Sequence, residues 1–251
     1  MKKFLCFMLF FITSINIIYA ETYIDPMSMY KENYFITGNK TDQTVWQVSA
    51  KYKLIHKVDL YAGYTQKSFW ATSEDSSPFK ESNYQPEVFF KLDEQNNIFD
   101  SDLGIIDYIQ ISPAYHCSNG RDGQESRGIN LYYGQIQLSY GEVYNFGVNI
   151  KGFNYYSKSR RNKDIADYKG YYEADVFFKL RSKDVQYLDK EELHVKFGSS
   201  KDKGWICGEF QTRIISTYIQ PKLFIQVWHG YGEFLIDYNK KETSVRGGII
   251  F

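Results

Sequence analysis

Cysteine, proline and long apolar runs are all scarce in this chain, and each scarcity removes a class of protein. Three cysteines in 251 residues do not make a disulfide scaffold. Five prolines leave long stretches free to run as regular elements. The 30 basic and 30 acidic residues give no surplus of either sign, so nothing points to nucleic acid or to an acidic partner. Beyond the N-terminus no segment is apolar and long enough for a membrane helix. A G-x-S-x-G elbow is missing too, which disfavours an α/β-hydrolase.

What is present begins with MKKFLCFMLFFITSINIIYA, two lysines followed by an apolar run and a small residue at Ala20. This reads as a secretory signal peptide over residues 1–20, cleaved after Ala20. Cys6 leaves with it, and a bridge between Cys117 and Cys207 is the one pairing that remains open. Residues 21–251 then form one domain, without linker or internal repeat beyond a hairpin rhythm. The whole chain is 18% aromatic, with 23 Tyr and 19 Phe.

Nearly every segment after residue 21 alternates apolar and polar with period two. Trp46, Val48, Ala50, Tyr52 and Leu54 oppose Gln47, Ser49, Lys51 and Lys53. Tyr84, Pro86, Val88, Phe90 and Leu92 oppose Gln85, Glu87 and Lys91. Tyr172, Ala174, Val176, Phe178 and Leu180 oppose Glu173, Asp175 and Lys179. Alternation alone does not say which face is inside, but the ends of the chain do. It closes on Val245, Gly247, Ile249 and Phe251 along one face, similar to the terminal strand of bacterial outer-membrane barrels. With the signal peptide and the aromatic strand ends, this predicts an all-β fold: a twelve-stranded antiparallel transmembrane β-barrel of the bacterial outer membrane, apolar outside and polar within. The strands centre near Tyr34, Val48, Ala62, Val88, Ile109, Ile136, Val148, Val176, Val195, Phe210, Gln226 and Ile249. With both termini periplasmic, the outer loops include 71–83, 117–128 and 157–169. Within the last, KSRRNKD at 158–164 reads either as a solvated loop or as a contact for lipid or lipopolysaccharide phosphates. A soluble lipocalin-like binder would have to hide this aromatic surface inside.

Chemistry concentrates in HCSNGRDGQESRGIN at 116–130. His116 and Ser118 share a face on an extended chain, and a hairpin through NGRDG returns Asn130 beside them, so that nucleophile, base and orienting amide meet. Asn130 shares a face with Tyr132, Ile136, Leu138 and Tyr140, the lipid side. Strict alternation on the preceding strand instead puts His116 with Gln110 and Ser112, and a bulge near Pro113 would restore the phase. A non-enzymatic barrel, a pore or adhesin in which these residues decorate a loop, is the alternative.

Four stretches, YTQKSFW at 64–70, SSPFKESNYQPE at 76–87, HCSNGRDGQESRGIN at 116–130 and GYGEFLIDYN at 230–239, resemble the outer membrane phospholipase A family in its order. The resemblance implies calcium-dependent hydrolysis of both acyl esters of phospholipids, and of lysophospholipids, by a homodimer in the outer membrane with its site toward the outer leaflet. It makes Ser118 the nucleophile, His116 the general base and Asn130 its orienting partner, with the Gly120 N–H on the oxyanion. Ca2+ contacts fall on the Arg121 carbonyl and the Ser126 hydroxyl, and on a Ser76 carbonyl from the second subunit. Gln66 falls at the dimer interface. The family's acidic residue between histidine and serine is replaced by Cys117, whose parity turns it away from the triad. The extension before the first strand is also short.

Overall fold

The computed structural model describes residues 26–38, 44–55, 58–72, 74–76, 78–93, 105–181, 189–200, 202–213 and 221–251; the expected signal segment lies outside them. The described chain is almost all strand: β1 (Met27–Met29), β2 (Tyr34–Gly38), β3 (Thr44–Ile55), β4 (Val58–Trp70), β5 (Phe79–Asp93), β6 (Ile106–Ser118), β7 (Gly128–Tyr140), β8 (Tyr144–Lys158), β9 (Tyr172–Arg181), β10 (Asp189–Ser199), β11 (Gly204–Arg213), β12 (Lys222–Tyr231) and β13 (Lys241–Ile250). Each of β2 to β13 pairs antiparallel with the next, and β13 pairs back onto β2, Arg246 beside Gly38 through Ile250 beside Tyr34. The ring therefore closes, and a closed ring leaves no edge to the surrounding phase.

β1 is not a thirteenth wall strand. Met27–Met29 lies beside Tyr52–Ala50 and Tyr34–Ile36 beside Gln47–Val45, on the same side of β3, so β1 and β2 are one interrupted strand. All twelve expected strands are found. On the site end the loops 71–78 and 119–127 are shorter than the expected 71–83 and 117–128, while the third runs 159–171, shifted by two residues from the expected 157–169 with its length unchanged. β5 starts as early as Phe79 because that ring stacks on Trp70, centroids 5.4 Å apart, and meets Trp46 edge-on at 6.5 Å.

The faces sort as expected. Val48, Tyr52, Phe90, Ile111, Val176, Val227 and Val245 are exposed on the outer wall, while Gln110, Glu87, Glu209, Gln211 and Arg246 are buried inside. Much of the interior charge is paired. Lys196 meets Glu209 at 2.5 Å, Lys179 meets Glu192 at 3.0 Å, and Arg246 meets Glu233 at 2.5 Å.

Where the first strand breaks, Tyr30–Asn33 leaves the wall and enters the lumen. Tyr30 stacks on Phe89 with centroids 4.7 Å apart and accepts from the Gln110 amide at 2.6 Å. Lys31 pairs with Glu87 at 2.8 Å, and the Glu32 carboxylate accepts from Gln211 at 2.8 Å. From the other end the 232–240 loop folds inward, burying Phe234, Leu235 and Tyr238; its Leu235 and Ile236 N–H groups donate to the Glu81 carboxylate at 2.6 and 2.7 Å. Side chains thus cross the lumen at two levels.

Candidate active site

β6 reaches the site end out of phase with its own lower half. Ser112 pairs with Tyr133 on β7, but Tyr115 pairs with Leu131, so β6 holds one residue more than its partner. Against β5 the same irregularity falls between Ala114 and Ile111. Pro113 lies in this bulge, where a residue without an N–H leaves no ladder bond unmade. Below it Gln110 and Ser112 point inward and are buried; above it Cys117 is buried inward, packed in an apolar cluster with Ile129, Leu131, Tyr133 and Phe153. His116 and Ser118 are thereby turned to the outer wall.

His116 pairs in register with Asn130, and its Nδ1 lies 2.8 Å from the Asn130 Oδ1. A carbonyl oxygen only accepts, so Nδ1 carries the proton in this bond. Asn130 shares its outward face with Tyr132, and Ser118 lies in register with Tyr84; both tyrosines are exposed to the apolar phase. The arrangement opens sideways, into lipid.

Gly120 has φ +61°, a conformation that favours glycine, and its N–H donates to the Ser118 Oγ at 3.3 Å. Its missing Cβ matters twice, since an added one would lie 2.4 Å from the Tyr84 ring. Between Gly120, Arg121, Tyr84, Ser82 and Phe79 runs a cleft of about 370 Å3.

The 119–127 loop is held by two residues that sequence reasoning did not single out. Asn119, buried, accepts from the N–H groups of Arg127 at 2.9 Å and Arg121 at 3.4 Å and donates to the Glu125 carbonyl at 2.8 Å. Asn162, also buried, bonds both the N–H and the carbonyl of Gly128 from the neighbouring loop. Their type was visible, as asparagine in a polar loop, but which backbone groups they bond was not: Asn119 closes its own loop, and Asn162 reaches Gly128 from a neighbouring one. The Arg121 guanidinium clamps the loop to β5, donating to the carbonyls of Phe79 and, at 2.9 Å, Lys80.

Among the described residues no three His, Cys, Asp or Glu side chains gather as a metal site. The expected set, the Arg121 carbonyl and the Ser126 hydroxyl flanking a short 3-10 turn at Gly123–Glu125, consists of neutral oxygens, which suit a hard cation. Two such ligands fall well short of the six to eight oxygens, roughly, that calcium takes, so the set fits only with water and a further donor. Ser76 lies exposed on the 71–78 loop with φ +63°, unusual for a residue with a side chain.

Gln66 faces outward on β4, but its own chain partly satisfies it: its Oε1 accepts from Tyr64 at 3.2 Å and its Nε2 donates to Ser68 at 3.3 Å. Ser68 in turn meets Ser82 at 2.8 Å, so a polar ladder crosses an otherwise apolar wall beside Tyr84 and Ser118. Cys117 and Cys207 are both free and buried, and form no bridge.

A model of the family described as Phospholipase A1 matches residues 9–251. Phospholipase A1 of Escherichia coli K12 is 32% identical over 196 residues, covering 76% of this chain and 61% of that protein. This chain thus spans about 61% of the length of that relative. Among solved structures, the barrel superposes on the outer membrane phospholipase A of Escherichia coli with a TM-score of 0.74 at 26% identity, covering 92% of this chain and 94% of that one. It superposes on the Salmonella typhi outer membrane phospholipase, solved as a dimer with bound calcium, with a TM-score of 0.75 at 25% identity and the same coverage of each.

Proposed function

The chain belongs to the phospholipase A1 family, and on that premise we propose that it is an outer-membrane phospholipase that hydrolyses the sn-1 and sn-2 acyl esters of phospholipids and lysophospholipids through Ser118, His116 and Asn130. The observation that carries this reading is the His116 to Asn130 hydrogen bond, 2.8 Å long, on a wall that faces lipid. Ser118 Oγ attacks the ester carbonyl while His116 Nε2 takes its proton; the same proton then goes to the departing glycerol oxygen, and water repeats the sequence on the acyl-enzyme. Asn130 keeps the ring in the tautomer that leaves Nε2 free. It brings no negative charge, so its part is orientation. The Gly120 N–H, already within reach of Oγ, stabilises the oxyanion that forms on the carbon bonded there.

Calcium is the cofactor in this proposal, held by the Arg121 carbonyl and Ser126, with Ser76 of a second copy completing the set. A bound calcium would add positive charge where the oxyanion forms. The shortage of ligands on one chain supports activation by homodimerisation, with Gln66 at the interface: its polar ladder in the apolar wall has hydrogen-bonding capacity for a second copy to use. The family and the barrel support localisation to the outer membrane, and in this proposal the site faces the outer leaflet, Met27 and Phe251 lying toward the end of the barrel away from it. The filled lumen argues against a pore.

The test is fatty acid release from phospholipid in mixed micelles. Ser118→Ala is expected to lower it by about a thousandfold or more, and chelation of calcium to suppress it nearly as far. A serine-reactive sulfonyl fluoride should label Ser118 selectively and only when calcium is present. Unchanged release in the Ser118→Ala protein would overturn the mechanism.

A further inference from the structure

The sequence places five cations against two acids in residues 158–169, a net charge of +3 (5 − 2) in a chain whose total is +0. Two of the five are engaged: Lys158 lies 5.5 Å over the Tyr155 ring, and Lys169 donates to the Gly232 carbonyl at 3.2 Å. Arg160, Arg161 and Lys163 are exposed, and among the described residues none of them pairs with a carboxylate. The Arg161 guanidinium donates to the Gln124 amide oxygen, a neutral acceptor.

These three cations stand on a fixed base. Asn162 between them is fully buried and bonds Gly128 on both sides, Ser159 N–H donates to the Gly128 carbonyl at 2.9 Å, and Ile165 is fully buried in the apolar cluster under the site. The turn therefore rides on the first residue of β7, two positions before Asn130. Ser157, just ahead of the turn, pairs in register with Asn130, which pairs with His116. Two strand spacings, about 10 Å, separate it from the His116 strand, a distance that long side chains and a single lipid headgroup can span. The 71–78 loop on the far flank carries Glu74 and Asp75 instead, so of these two loops the cationic one lies on one side of the nucleophile and the acidic one on the other.

We propose that Arg160, Arg161 and Lys163 form a docking surface for the phosphodiester of an anionic glycerophospholipid, held beside Ser118 so that lipids with a net negative headgroup are the favoured substrates. This rests on the phospholipase reading above. A zwitterionic headgroup brings an ammonium to the same turn and gains less from it.

The experiment compares Arg160→Gln/Lys163→Gln with wild type and with the charge-conserving Arg160→Lys/Lys163→Arg, on phosphatidylglycerol and phosphatidylcholine of identical acyl chains in mixed micelles. Wild type should favour phosphatidylglycerol by about five- to tenfold in kcat/KM at low salt, and less at high salt. The glutamine variant should fall to about twofold or less, with phosphatidylglycerol turnover losing several times more than phosphatidylcholine turnover, while the conserving variant keeps the preference. In parallel, retention of the two lipids by the Ser118→Ala protein is read by native mass spectrometry, with and without the glutamine substitutions. Equal turnover and equal retention of the two lipids in wild-type surface charge, or a preference that survives in the glutamine variant, would overturn the proposal. No hydrolysis of either lipid by wild type would sink the phospholipase reading instead, and the retention measurement would then decide the docking surface alone.

Discussion

Asn130 holds His116 with a neutral amide, and the size of its effect follows from that. Replacing it removes an orienting bond but no stabilising charge, so Asn130→Ala should lower kcat by about 10- to 100-fold with KM nearly constant, a far smaller loss than Ser118→Ala. A loss equal to that of Ser118→Ala in steady-state kinetics would contradict the purely positional role. Two glycines separate backbone strain from the oxyanion. Gly120 and Gly123 both have positive φ, +61° and +57°, but a Cβ on Gly120 strikes Tyr84 whereas one on Gly123 meets nothing within 4 Å. Gly123→Ala should lose about 1 kcal/mol of stability in a thermal melt from its positive φ, and Gly120→Ala more, because its Cβ must also displace the Tyr84 ring. Gly120→Ala alone should lower kcat, by about a hundredfold, because its N–H moves off Ser118. These assignments were legible as residue types within one fifteen-residue stretch. Asn119 and Asn162 were not, since a buried asparagine and a solvated one look alike until the loop conformation that buries them is known.

The decisive element is β6, and within it one residue. Its pairing shifts by one between Ser112 and Tyr115, so the strand changes face at Pro113. Removing Pro113 should restore regular pairing and turn His116 and Ser118 into the lumen, because a slip of one residue exchanges the two faces of a strand. The expected outcome is a barrel that still folds, seen as retained heat-modifiable mobility on gels, with no detectable fatty acid release. Activity in that deletion would show that the bulge does not set the phase. From the sequence, strict alternation would have sent both residues inward; only their proline neighbour hinted otherwise. The first strand shows the same limit. Tyr34 marked its upper half, but the inward course of Tyr30–Asn33 is set by Phe89, Gln110, Glu87 and Gln211, residues far along the chain.

Over the whole molecule the outer wall is apolar and the lumen holds paired charges, an inversion of a soluble barrel that makes interior pairs stabilising only while both partners are present. Arg246 is 1% exposed and pairs with Glu233, whose carboxylate also accepts from Ser244 at 3.0 Å. Glu233→Gln leaves that guanidinium buried without its counter-charge and should cost about 3–5 kcal/mol in urea unfolding of the detergent-solubilised barrel. A variant as stable as wild type would mean that water or another carboxylate takes over the charge.

Period-two alternation, a scarcity of proline and a terminal aromatic strand settled the strand number, their order and which face meets lipid, because these depend on each strand's own side chains and on the phase around it. The motif at 116–130 likewise named the candidates for chemistry, as their types and spacing are local. Only the tertiary structure decided the face on which His116 and Ser118 emerge, the partners that hold the Gly120 loop, the filling of the lumen and the separation of Cys117 from Cys207. Each of those is fixed by register and packing between strands distant in the chain, and no single strand carries that information.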